Sequence, residues 1–480
     1  PSGFVTNIAQ AVNVRGPAGP GTGDMLASVY DPNGVEADAF AMDNMVEGTN
    51  NLIFKPLERK KLSRVAYNPA VIPQLDLVFT DPAAFLPEWF SRASGGTYFG
   101  PDGMIKVAAA NEPRIEYDPA TGELLGLLVE EQRTNYFTYS GTLSASVHSK
   151  YRILVEDGAR TVNGLTLAKL KATTDSGTHE LRRGTSVTAG SSITFSFFAV
   201  AAELSRVSVR MAPGGTLMGR VFFRLDTGEV ISAPDGAWAS ITDLGNGLYR
   251  CSCGYTLGAE QTEVRFGIEL VNDANAVDFV GDNNMGVYVG GPQIEIGKYP
   301  TSYIPTEDAA VTRTPDFLTI PLNAINFKRW AGTIFADFRS YRPPSAYSDV
   351  NDRAAIWSIS DQYSASGNNS LDLTYSTQLF LLSRIDNNTS YVTSNIGAQP
   401  GVPAYEKVAV AFRGSEAKVS RNGGSVTNQT VSFRLEPLTL LRVGNDSVNR
   451  VGNRVLKGHM RRITYYPAFL SDADLQALTA

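Results

Sequence analysis

Short runs of alternating apolar and polar residues recur along the chain at 192–198, 206–210, 249–255, 286–289, 333–338, 407–412 and 417–420, and long amphipathic helical patterns are nearly absent. A period of two sends alternate side chains to opposite faces of a strand. Gly, Asn and Asp cluster between the runs, so the pattern predicts antiparallel sheets packed as sandwiches or jelly rolls. Arg421-Asn422-Gly423-Gly424 supplies a tight turn, because Asn-Gly favours positive backbone angles. The 44 glycines and 25 prolines fit a turn-dense all-β chain. The predicted fold is mostly β, an extended N-terminal stem followed by two antiparallel β-sandwich or jelly-roll domains.

The 480 residues are enough for roughly three domains. Residues 1–60 carry few core-forming positions and read as the stem, with a Gly/Pro hinge at Gly16-Pro17-Ala18-Gly19-Pro20-Gly21. That scrap is too short for a collagen triple helix, which needs glycine at every third position over a long run. Residues 61–135 form a connector in which Asp81 caps a short helix, Pro82 sits in its first turn and Pro87 limits its length. Residues 136–312 hold the first strand series and 313–480 the second. The chain closes on Ser471-Asp472-Ala473-Asp474-Leu475, whose capping-box spacing starts a final short helix.

The net charge of −6 argues against nucleic acid as a general partner, since phosphate binding relies on basic patches. No run of 18 apolar residues is present, so no membrane insertion by a helix is expected. Pro1-Ser2-Gly3-Phe4 has no charged start followed by an apolar block, so no secretory signal is read here and synthesis in the cytoplasm is expected. Cys251 and Cys253 are the only cysteines. On a strand they share a face about 6.5–7 Å apart, beyond the spacing a disulfide prefers. They read as two buried free thiols.

Catalytic signatures are missing. His148, His179 and His459 lie in no metal spacing, and no Gly-x-Ser-x-Gly elbow exists. The near phosphate loop at Gly291–Lys298 has one residue too many, and Tyr299 stands where Ser or Thr should be. Neighbouring Glu130 and Glu131 face opposite ways on a strand, and whether Glu295 and Asp282 converge is not legible in the sequence. No short-strand repeat of a long β-helix is visible either. The chain is expected not to be an enzyme and to need no cofactor. A structural calcium ion is one reading of the oxygen-rich loop at Asp273, Asn275, Asp278, Asp282 and Asn284. Turn-forming Asp and Asn, present for local backbone hydrogen bonds, explain these residues equally well.

Glycan contacts combine an aromatic face with polar side chains at the hydroxyls. In the long polar loops of the last domain, Tyr341, Tyr347, Tyr363, Asn368, Asn387, Asn388 and Tyr391 are the candidates. Asn369 lies beside them, and Trp357, within an apolar run, reads as core.

Three resemblances add to this. The run from Val14 to Gly34, in which the Gly/Pro scrap leads into Gly23-Asp24-Met25-Leu26 and Tyr30-Asp31-Pro32, resembles the N-terminal region of bacteriophage tail-fibre and spike-type virion proteins. Segments 111–119, 126–135 and 290–306, with Gly245-Asn246-Gly247-Leu248-Tyr249-Arg250, resemble the carbohydrate-binding-module-like jelly rolls of phage structural proteins over most of 111–312. Segments 333–338, 409–412, 418–423 and 456–475 resemble a concanavalin-A-like (laminin-G-like) sandwich over about 317–478.

Together they imply a receptor-binding virion fibre on the surface of a phage particle. Its N-terminus would be anchored on other virion proteins, and its sandwiches would recognise host cell-surface polysaccharide. A homotrimer is expected, because a slender stem can bury Val29, Tyr30, Val35, Phe40, Met42 and Met45 only against copies of itself. A purely structural decoration or collar fibre is the alternative, and a capsule depolymerase the third.

Overall fold

The computed structural model describes residues 45–48, 51–54, 72–80, 87–328, 330–341, 354–360, 370–375, 378–385, 390–398, 404–431, 438–445 and 454–480. The chain divides into two compact units, Pro1–Arg64 and Val65–Ala480. In the first unit an antiparallel hairpin pairs Met45–Gly48 with Asn51–Phe54. Met45, one of the six stem residues, opens that hairpin opposite Phe54. Val29, Tyr30, Val35, Phe40 and Met42 lie outside the described residues, as does the helix start at Asp81 and Pro82. Pro87 opens a 3-10 turn, Pro87–Trp89.

The second unit is mostly β, as the alternation predicts, and holds two sandwiches, one nested inside the other in sequence. The inserted sandwich has two six-stranded sheets. One runs Ser149–Tyr151, Glu180–Ser186, Glu263–Val271, Arg206–Pro213, Gly219–Arg224, Glu229–Ser232 in spatial order. The other runs Ile153–Val162, Leu165–Ala172, Gly286–Ile296, Ser192–Ala201, Tyr249–Thr256, Ala237–Asp243. Their facing sides pack Ile193, Phe195, Phe197, Cys251, Cys253, Val207, Val209, Phe266 and Ile268 into one core. The two cysteines are free and fully buried on the same face, as predicted. Burial in this apolar core pushes the thiol of Cys251 well up from its ordinary value.

The second sandwich is split. Its eight-stranded sheet is built on Gly458–Tyr466, which pairs with Ala331–Ser340 on one side. On the other side it pairs with two separate segments, Leu75–Val78 and Leu124–Val129. Its seven-stranded sheet ends on Phe90–Ser91, which pairs with Phe317–Pro321. The strands at 75–78, 90–91, 115–117 and 124–129, placed by the sequence reading in a connector, are therefore sheet strands of this C-terminal sandwich. The physical reason is pairing. Leu75, Leu77, Ile115, Leu127 and Val129 have their apolar partners only in the core completed by Trp357, Ile463 and Tyr465.

The chain leaves this sandwich through Arg133–Asn135, builds the inserted one, and returns through Val311–Arg313, which pairs antiparallel with the outgoing strand. Trp357 is fully buried in the core. The last helix, Asp472–Thr479, starts with the predicted capping box on Ser471 and Asp474. It lays Leu475 against Phe335, Ala409 and Ala411 on the outer side of the eight-stranded sheet.

One buried titratable group in the inserted sandwich makes a checkable statement about pH. His148 is 3 % exposed and stacks on Phe137 with ring centroids 4.9 Å apart. Burial, with Arg183 and Lys150 nearby and Asp157 opposing them, pushes its pKa down to about 4. The unfolded chain therefore binds this proton first, so the stabilisation is complete above about pH 6.5 and is lost as pH falls towards 4. Between pH 7 and 4.5 the wild type should lose about 2 kcal/mol more unfolding free energy than His148→Phe, measured by urea titration. Equal losses in the two proteins would remove His148 from the account.

Candidate functional site

Two charged assemblies stand out in the second unit. The first lies where the chain passes between the sandwiches. Asp316 receives Arg92 at 2.9 Å on one oxygen and Arg114 at 2.6 Å on the other. Glu130 accepts from Arg114 at 2.8 Å, from the Ser302 amide at 2.7 Å and from the Ser302 hydroxyl at 2.6 Å. Glu131 is held by Arg133 and Lys457, each at 2.5 Å, and by the Tyr299 hydroxyl at 3.0 Å. Burial pushes the Glu130 carboxyl up, but Arg313, Arg114 and the Ser302 hydrogen bonds outweigh it and hold it well below the usual carboxylate range. Every oxygen of Asp316 and Glu130 is engaged by the protein. This is an internal latch, with no group turned outward for a ligand.

The second assembly is the outer face of the inserted sandwich's first sheet. The alternation that turns Val207, Val209, Val221, Phe223, Phe266 and Ile268 into the core turns their neighbours outward. Cross-strand register lines these neighbours up in two rows. One row reads Tyr151, Glu180, Glu269, Ser208, Phe222, Ser232. The next reads Ser149, Arg182, Gly267, Arg210, Arg220. At about 4.8 Å per strand, Tyr151 and Phe222 stand about 19 Å apart.

The carboxylates of the first row are claimed by the second. Glu180 takes the Arg182 side chain through Nε at 2.9 Å and through Nη2. Glu269 takes Arg220 through Nε at 2.7 Å and Nη2 at 3.1 Å, and accepts the Ser208 hydroxyl at 2.7 Å. These hydrogen bonds raise the pKa of Arg182 and of Arg220 above the ordinary arginine value. Gly267 has a local role here, since a Cβ at that position would collide with the Glu180 carboxylate. Arg182 also lies over the Tyr151 ring at 4.6 Å.

Around the rim Arg206 pairs with Asp273, Arg224 with Asp226 and Arg265 with Glu263. Arg210, in the centre, has no hydrogen bond or ion pair among the described residues. Glu180, Glu269 and Ser208 are themselves buried, so what this face turns outward is the partly exposed guanidinium groups of Arg182, Arg210 and Arg220 between the 43 % exposed Tyr151 and the partly buried Phe222. Donors beside aromatic rings suit a sugar, whose ring faces are apolar and whose edges are polar.

None of the described glycan candidates picked from sequence is on this face. Tyr347, Tyr363, Asn368, Asn387 and Asn388 are outside the described residues, and Tyr391 lies in the strand Ser390–Ala398. Tyr341 is not a loop-tip platform. Its hydroxyl meets His459 Nδ1 at 2.7 Å and Arg339 Nη2, its ring packs against His459, and His459 Nε2 reaches Glu116 at 2.8 Å.

The oxygen-rich loop shows individual local roles. Asp273 pairs with Arg206, Asn275 has a φ of 59° and Asp278 accepts from Thr178 at 2.7 Å. Asp282 accepts from the amides of Asn284 and Met285. Among the described residues no three His, Cys, Asp or Glu side chains come together in a way that could hold a metal ion.

What the sequence reading missed was the arginine face, although its signal was present. The alternation at 206–210 that identifies a strand also puts Arg206, Ser208 and Arg210 on one side.

The chain matches no protein-family model and none of the curated proteins. Among solved structures it is similar to the Ruminococcus gnavus IT-sialidase CBM40, at 15% identity and TM-score 0.27, over 32% of this chain and 84% of that one. It is similar to the NanB sialidase from Streptococcus pneumoniae at 15% identity and TM-score 0.27, over 34% of this chain and 26% of that one. Domain 4 of AbnA, a GH43 extracellular arabinanase from Geobacillus stearothermophilus, matches at 11% identity and TM-score 0.27, over 38% and 83%. Likenesses at this level leave the functional argument to the chain's own residues.

Proposed function

We propose that this chain is a glycan-recognising protein, a bacteriophage virion fibre whose N-terminal region anchors it and whose inserted sandwich binds host surface polysaccharide without cleaving it. The observation that carries the binding reading is the two-row face, with the guanidinium groups of Arg182, Arg210 and Arg220 standing between Tyr151 and Phe222, two of them held in place by the buried Glu180 and Glu269. The virion part of the reading is supported by the Gly/Pro scrap at 16–21 standing ahead of two sandwich domains. Weak single sites would gain through several copies acting together, which fits a homotrimer.

A glycan array probed with the full chain should give binding to a defined set of bacterial surface polysaccharides, and added protein should block phage adsorption. Phe222→Ala should lower that binding at least fivefold, and because Phe222 is partly buried, urea unfolding of the same variant checks that the loss exceeds what its change in stability explains. No bound glycan and no block of adsorption would favour a structural decoration fibre instead. New reducing ends released from host polysaccharide would make it a depolymerase.

A further inference from the structure

We infer that the ligand of the arginine face carries a carboxylate on its sugar ring and that Arg210 is the group that receives it, an inference that rests on the glycan-binding reading above. The argument is one of charge and of geometry. The central rows hold three arginines, Arg182, Arg210 and Arg220, against two carboxylates, Glu180 and Glu269. Glu180 is spent on Arg182, and Glu269 on Arg220 and Ser208. Each pairing uses a two-pronged guanidinium contact, so neither carboxylate is left to turn towards Arg210.

The central guanidinium thus carries an unbalanced positive charge on a half-buried surface. Elsewhere on this face every arginine has its acid: Arg206 has Asp273, Arg224 has Asp226 and Arg265 has Glu263. Paired arginines on both sides keep Arg210 from being neutralised by the protein itself. They also leave its planar fork of donors to match the two oxygens of an incoming carboxylate.

The surroundings fit the rest of such a ligand. Directly across the strand from Arg210 lies Gly267, which has no side chain, and on the other side Arg220. Phe222, one position further along the same strand face as Arg220, offers the partly exposed edge of its ring for the sugar's apolar side. Ser208, two residues before Arg210 on the same face, is buried and tied to Glu269, so it holds that carboxylate away from Arg210 rather than meeting the ligand. A neutral sugar could use the ring and accept from the guanidinium through its hydroxyls but would leave the charge of Arg210 unbalanced.

Uronic acids and sialic acids both present this carboxylate. Direct binding of the full chain to four probes separates the sources: oligogalacturonate, sialyllactose, lactose and a sulfated carrageenan oligosaccharide, which carries sulfate and no carboxylate. At least one carboxylated probe should bind ten times or more tighter than lactose, and Arg210→Gln should erase that difference. Arg210→Lys should restore only part of it, because an ammonium keeps the charge but loses the fork. Arg265→Gln, a rim change of equal charge, should cost less than threefold.

Equal binding of lactose and the carboxylated probes would overturn the inference and leave the glycan reading standing. So would unchanged acid binding by Arg210→Gln, or binding of the sulfated probe alone. Failure to bind any glycan, on this panel and on the array, would bring down both.

Discussion

Asp316→Ala should lower the unfolding free energy of the full chain by about 3–5 kcal/mol, because it removes the acid at the centre of the latch and leaves buried guanidinium groups behind. Asp316 is 1 % exposed, and its two oxygens receive Arg92 at 2.9 Å and Arg114 at 2.6 Å, side chains that are themselves fully buried. It also accepts the amide of Glu130 at 2.9 Å, which fixes the chain where it leaves the split sandwich. Removing one partner of a buried ionic group exposes the full desolvation cost of the others, which no water can repay here.

Urea unfolding of wild type and variant at pH 7 measures the effect. A loss under 1 kcal/mol would show that the latch is not a stabilising element. Acid should act in the same direction. The Glu130 carboxyl is held below its ordinary range, so its contribution is present above the unfolded carboxylate range near pH 4 and is lost as pH falls below it.

Gly126→Ala should be nearly as damaging, by about 3 kcal/mol or more, for two independent reasons. Gly126 has a φ of 105°, a conformation side chains resist. A Cβ there would also run into the carbonyl of Met460 on the neighbouring strand, and a backbone atom in a sheet cannot step aside. The position lies in Leu124–Val129, the strand that joins the N-terminal half of the split sandwich to Gly458–Tyr466. Circular dichroism melting with urea titration would test this, and a loss under 1 kcal/mol would mean the sheet edge can yield. Gly267→Ala meets a side chain instead of backbone, and its Cβ would displace the buried Glu180 carboxylate from its two-pronged contact with Arg182.

Local physics made much of this fold legible before any coordinates. Alternation at 192–198 becomes the strand Ser192–Ala201, with Ile193, Phe195 and Phe197 facing the core. Ser471 and Asp474 form their capping box because that motif needs only four consecutive residues. Cys251 and Cys253 are buried together because two residues on a strand share a face.

The remaining features depend on partners far away in sequence. Leu75–Val78 and Leu124–Val129 read alone as pieces of a connector, and it is Gly458–Tyr466, more than 300 residues later, that pairs with both and joins them to the sheet. The outward arginines are visible as alternation, yet the sequence does not say that Arg182, Arg210 and Arg220 lie side by side. That depends on the order Glu180–Ser186, Glu263–Val271, Arg206–Pro213, Gly219–Arg224 in the sheet.

By itself, then, the sequence determined the strands marked by clear alternation, such as Ser192–Ala201 and Arg206–Pro213, the faces they bury and where the final helix begins, because these follow from contacts a few residues apart. The tertiary structure alone decided that one sandwich is inserted in the other, which acids neutralise which arginines, and that Arg210 is left over. Those outcomes are set by strand order and register, where the free energy comes from neighbours that chain position does not reveal.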